Sequence, residues 1–142
     1  MQTFSIFLIK DEFVKHYYHK NDLLYDFFQT YRLQSYDPNY QKQFQFITKD
    51  IPKRDIITYL CDKLNGLYTI HKADDELWIE NNHLHVKIEC GRKEWVVYSS
   101  SLHEAELVVF EHFRALHTSF FVMNRNKSQY GWLSPIRKEV IL

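Results

Sequence analysis

LYTIHKADDELWIENNHLHVKIECGRKEWVVY, residues 67–98, contains four short β-rich runs: Leu67 to His71, Leu77 to Glu80, His83 to Cys90 and Glu94 to Tyr98. Turn signals separate them at Ala73–Asp75, at Asn81–Asn82 and at Cys90-Gly91-Arg92-Lys93. Short runs joined by tight turns read as an antiparallel meander. A sheet needs a covering layer, and the flanking segments offer one.

Just upstream, Ile56, Ile57, Leu60, Cys61 and Leu64 form a helical stripe. Pro52 sits where a first helical turn tolerates it, and Asn65-Gly66 ends the stripe. Downstream, Ser101 with Glu104 makes a capping box, and Leu102, Ala105, Val109, Phe113 and Leu116 give the following helix a core face. Ser119 to Met123 reads as a strand. The tail from Ser128 to Leu142 carries Tyr130-Gly131-Trp132-Leu133-Ser134-Pro135 and reads as a packed terminal segment.

Residues Thr3 to Lys10 read as an opening, central strand, with Asp11 able to cap the helix behind it. Asn21 and Asp22 start a second helix, in which Leu23, Leu24, Phe27, Phe28 and Tyr31 recur at 3.6-residue period. Leu33 to Tyr40 reads as a loop. Gln43 to Thr48 alternates polar and apolar and reads as a half-exposed strand. Together the elements make one α+β (mixed α/β) domain over residues 1–142. It is expected to have two layers, a mixed but mainly antiparallel sheet packed with three or four helices.

Composition bounds the chemistry. The 142 residues fit one domain, and eighteen basic residues balance eighteen acidic ones. A formal net charge of zero gives no bulk electrostatic case for nucleic acid or an anionic membrane. The apolar run Phe4 to Ile9 is too short for a signal-peptide core or a membrane span, so a cytoplasmic location is expected. Cys61 and Cys90 lie far apart and outside any C-x-x-C pair, as befits free thiols. Only three glycines leave little room for phosphate-cradling loops, whereas eleven Phe and ten Tyr exceed the usual needs of a core.

Candidate chemistry is sparse. His83 and His85, spaced H-x-H, could join Glu80 and Cys90 around a metal as a histidine-based enzyme. The simpler reading is a solvent-facing strand. His16 and His19 fit a polar helix face, and His103-Glu104 lacks the second histidine of H-E-x-x-H because Leu107 stands there. Ser99, Ser100 and Ser101 serve turn and cap roles, and Asp74, Asp75 and Glu76 form a solvated charge run. The pairs Arg92-Lys93, Arg125 with Lys127, and Arg137-Lys138 could serve a nucleic-acid module but read as loop charges. No catalytic residue, metal or cofactor is expected.

The functional lead is aromatic. In the first helix Phe13 and Tyr17 form one i, i+4 stripe, and Val14 with Tyr18 forms another about 100° around. Both together are too wide for so short a helix to bury. Periodicity leaves open which stripe is core and which is offered to a partner.

The blocks FLIKDEF (7–13) with His16-Tyr17-Tyr18, KQFQFIT (42–48) with Ile51-Pro52, and YGWLSP (130–135) together resemble the SirA family, the sporulation inhibitors of replication of Gram-positive bacteria. The resemblance implies a one-to-one complex with the N-terminal domain of the initiator DnaA, formed by a protein that is a monomer when unbound. It also implies no catalysis and no cofactor. The family's partner-facing positions match Phe13, Tyr17, Gln43 and Phe46. Phe13 and Tyr17 are then anchors, while Gln43 and Phe46, on one face of the neighbouring strand, extend the patch. The family pattern has Tyr where Phe46 stands, so a hydroxyl is lost and the apolar body kept.

Overall fold

The computed structural model describes residues 1–116 and 119–133. Seven strands form one sheet: β1 (Gln2–Leu8), β2 (Thr69–Ala73), β3 (Glu76–Glu80), β4 (His85–Cys90), β5 (Trp95–Ser99), β6 (Phe120–Asn124) and β7 (Tyr130–Trp132). Their order is β2-β3-β4-β5-β1-β6-β7. The meander read from residues 67–98 supplies β2 to β5, and β1 lies between β5 and β6 as the expected central strand. Every neighbouring pair of these strands is antiparallel, so the sheet is not mixed. Tight turns return each meander strand against its predecessor. Gly91 closes one of them, where an added Cβ would lie 2.5 Å from the Glu94 carbonyl oxygen.

Alternation along β1 separates two cores. Phe4, Ile6 and Leu8 enter one cluster, while Phe7 and Ile9 enter the other. The first cluster lies under α4 (Lys53–Leu64) and α5. We use α5 for three consecutive pieces, Leu102–Ala105, a π segment Glu106–Phe110, and Glu111–Leu116. Ser101 caps it, its Oγ accepting from the Glu104 N–H at 3.1 Å. The π segment buries Val108, Val109 and Phe110 in succession and leaves Leu102 exposed, contrary to the simple stripe expected. Wider turns rotate the buried face relative to a regular α-helix. At the end of α4, Gly66 takes the positive φ of 85° that suits glycine.

The second cluster is covered by α1 (Asp11–Tyr17), α2 (Asn21–Leu33) and α3 (Pro38–Ile47). The α+β class is as read, and this second covering adds a third layer over β1, β6 and β7. Phe7 stacks on Phe28 at 3.9 Å between ring centres, and Tyr31 on Phe44 at 4.1 Å. Each fully buried Phe contributes roughly 2–3 kcal/mol through removal from water.

The segment expected as a loop and a strand, Leu33–Thr48, is instead largely the helix α3. Asp37 caps it, its carboxylate accepting from the Asn39 N–H at 2.9 Å, and Pro38 opens the first turn. Phe44 and Ile47, three residues apart, are its buried pair. The apparent alternation at Phe44 and Phe46 arose because Phe46 is apolar yet faces water, so pattern and burial disagree there. Gln43 and Phe46 share a helix face, whereas three residues apart on a strand they would point to opposite faces. Asp11 is likewise not a cap: α1 begins at Asp11 itself, and no side chain caps it. The tail forms β7, and its remainder, residues 134–142, lies outside the described residues.

Candidate functional site

Two helices meet where β1 ends. The Lys10 N–H donates to the Ile47 carbonyl at 2.9 Å, and the Lys49 N–H donates to the Leu8 carbonyl at 2.9 Å. Ile9 and Thr48 form an antiparallel bridge between these bonds. The first turn of α1 is thereby fixed beside the last turn of α3. Thr48 closes α3, its hydroxyl donating to the Phe44 carbonyl at 2.6 Å. Val14 anchors α1 in the core, and Phe44 with Ile47 anchors α3.

The opposite faces of these helices turn toward one another. Phe13 meets Phe46 edge-on at 5.0 Å, and Tyr17 lies 6.4 Å from Phe13. Phe13, Tyr17, Gln43 and Phe46 line a single groove of about 380 Å³, together with Leu23, Leu24 and Phe27 of α2. None of the lining side chains is charged. Phe46 is 62% exposed and Leu23 54%. Of the two stripes on α1, only Val14 is buried, and Phe13, Tyr17 and Tyr18 are all half-buried. Tyr18 packs near Trp132 at 6.2 Å, while Phe13 and Tyr17 line the groove.

The chain matches the family of the sporulation inhibitor of replication protein SirA over residues 2–137. It belongs to the SirA family. It is 28% identical over 139 residues to the sporulation inhibitor of replication protein SirA of Bacillus subtilis (strain 168), an alignment covering 93% of each chain. The SirA match takes in the helices that build the groove and the whole sheet. SirA is a regulatory family and not an enzyme family.

All four positions that the resemblance implies line the groove, and Leu23 and Phe27 of α2, whose periodicity reads as core, line it as well. Their signal was present. They repeat at i, i+4, one residue ahead of the buried pair Leu24 and Phe28, which is the same double stripe seen in α1.

The histidine cluster does not assemble. His83 sits in the turn before β4, its N–H donating to Asn81 Oδ1 at 2.8 Å. His85 is exposed and 3.8 Å from Glu80, while Cys90 points into the core on the other side of the sheet. Burial pushes the Cys90 thiol up to about 12, away from the thiolate a metal requires. Among the described residues, no group of three or more His, Cys, Asp or Glu is placed to hold a metal ion.

Arg92, Lys93 and Arg125 are engaged locally. Arg92 and Lys93 both reach Asp50 at 3.0 and 3.5 Å, and Arg92 holds the Asp50 carboxyl below its ordinary range. Arg125 bonds Glu94 at 3.0 Å and the Ser5 hydroxyl at 2.9 Å. Arg137-Lys138 lies outside the described residues. No helix among the described residues is long and apolar enough to cross a membrane.

Proposed function

We propose that this SirA-family protein restrains the initiation of DNA replication by docking one-to-one on the N-terminal domain of DnaA. Phe13, Tyr17, Gln43 and Phe46 are its contact residues. The observation that carries the reading is convergence. Residues from two helices about thirty positions apart in the chain meet around one uncharged, water-exposed aromatic groove. Half-buried aromatics around a small apolar hollow are the usual composition of an interface hot spot. An uncharged groove offers nothing to acid–base chemistry, and the reading involves no catalysis and no cofactor. It places the protein in the cytoplasm with the initiator, as a monomer until it binds. Control of replication during commitment to sporulation is the setting that the family's name supplies.

At position 46 the phenyl ring keeps the edge contact with Phe13 without the hydroxyl of the family pattern. Its contribution is therefore shape and apolar area. The test is a calorimetric titration against the isolated N-terminal domain of the same organism's DnaA. A saturable one-to-one complex is expected. Phe13→Ala should weaken it by more than about tenfold, because truncating a good aromatic anchor costs ~2 kcal/mol or more and each decade is about 1.4 kcal/mol. A folded Phe13→Ala, Tyr17→Ala double variant that binds undiminished would exclude this site. Absence of a complex by calorimetry and by a second method would exclude the partner.

A further inference from the structure

We propose that the interface continues past Phe46 into a basic hollow that receives a carboxylate from the same protein partner. The proposal rests on the reading that the groove docks a protein. Phe46 is a ridge between two depressions. On one side lies the uncharged groove. On the other is a hollow of about 510 Å³ lined by Lys10, Pro38, Gln41, Lys42, Gln45 and Phe46. Lys10 reaches over the ridge, with its Nζ 5.5 Å from the centre of the Phe46 ring.

No acidic side chain lines this hollow. Among the described residues neither Lys10 nor Lys42 makes an ion pair, and Asp11, next to Lys10 in sequence, pairs with Lys49 at 3.3 Å. Lys53, Lys87, Arg92, Lys93 and Arg125 each have an acidic partner within the chain. Other surface lysines such as Lys15, Lys20 and Lys127 also stand outside these pairs; what sets Lys10 and Lys42 apart is that they line one hollow, free of carboxylates, beside the exposed Phe46 ring.

Docking makes that state costly. A partner that covers the exposed Phe46 ring also removes water from the ammonium lying over it. A partly desolvated cation without a counter-charge is penalised, and an acidic group supplied across the interface offsets the penalty. The surface that fits is therefore an apolar projection for the groove with an Asp or Glu beside it for the hollow. An uncharged apolar surface satisfies only half of it. The carboxylate fixes the direction in which the partner lies across Phe46 and speeds encounter at low salt.

The experiment repeats the titration with the full chain at about 50 mM and about 300 mM salt, where screening lengths are roughly 14 and 6 Å. Wild type, Lys10→Gln/Lys42→Gln and Lys10→Glu/Lys42→Glu are compared, with folding checked by circular dichroism. The Gln pair is expected to bind roughly three- to tenfold more weakly at low salt, with the gap closing at high salt. The Glu pair is expected to bind more weakly still. At least one single Asp→Lys or Glu→Lys change in the partner domain should restore its binding. Variants that match wild type in both affinity and salt dependence, while wild type binds well, overturn this inference and leave the groove reading standing. Failure of wild type to form any complex removes both.

Discussion

On one face of the sheet, α4 and α5 cover Phe4, Ile6, Leu77, Ile79, Ile88 and Val97 in a cluster whose partly buried margin is mostly aliphatic. On the other face, α1 to α3 cover a smaller cluster, and every partly buried described residue packed against it is aromatic: Phe13, Tyr17, Tyr25, Phe27, Tyr31, Tyr130 and Trp132. The first core is closed by α4 and α5, which leave Leu102 and Leu107 as their exposed large apolar residues. The second is closed by rings that are themselves half in water. Aromatic side chains suit that position because they hold large contact area with few rotors to freeze. The closed face therefore holds the larger buried core, and the open face holds the half-exposed rings that we propose as the docking surface.

The sharpest way to break this division is to delete one ring from each side. Phe113 is fully buried against Trp95 and Phe120 on the closed face. Phe113→Ala should cost about 3–5 kcal/mol in urea unfolding, through lost transfer energy and a cavity. Phe13→Ala, from the open face, should show the reverse profile, with much lost affinity and little lost stability. Equal stability losses in the two variants would mean that the faces are not specialised.

A smaller effect is expected where the open face depends on one cap. Asp37→Ala removes the acceptor for the Asn39 N–H and should destabilise by about 1 kcal/mol. Because α3 positions Gln43 and Phe46, affinity for the partner should fall as well. Asn at the same position should preserve both, and hydrogen exchange along α3 would locate the change.

The smallest effect belongs to the closed face. Burial lowers the pKa of His112, which sits 6.1 Å from Tyr59 between α5 and α4. The unfolded chain therefore binds this proton more readily than the folded one. The His112 contribution is complete above the ordinary histidine value near 6.5 and is lost as pH falls through it. Between about pH 7.5 and 5.5, His112→Gln should lose less Tm than wild type, by on the order of 1 °C. An identical pH profile would place His112 in water.

The closed face was legible because its residues obey one period per element. Leu77 and Ile79 alternate on a strand, and Ile56, Leu60 and Leu64 repeat on a helix. The groove was legible only as a choice between two stripes on α1, because periodicity cannot tell which rings α2 and α3 come to meet. Where reading failed, the cause was apolar side chains that are not buried. Phe46 imitated the second member of an alternating strand, and the double stripe of α2 made Leu23 look like core. Sequence periodicity reports burial only when every large apolar residue is buried. Exposed Phe46 and Leu23 break that condition, so the reading erred beside the groove. The π segment of α5 escaped for another reason, since no residue in Glu106–Phe110 signals an extra residue in the turn.

The central position of β1 has a consequence for how the chain matures. Its hydrogen-bonded neighbours β5 and β6 follow about ninety and more residues later. At synthesis rates of about 5–20 residues per second, β1 waits roughly 5–20 s with both edges unpaired. Helices α1 to α3 follow it directly and can shelter Phe7 and Ile9 in the meantime, while Ile6 and Leu8 stay bare until the meander arrives. In the seconds after β1 is made, the nascent chain is thus exposed on the side that later becomes its most protected core.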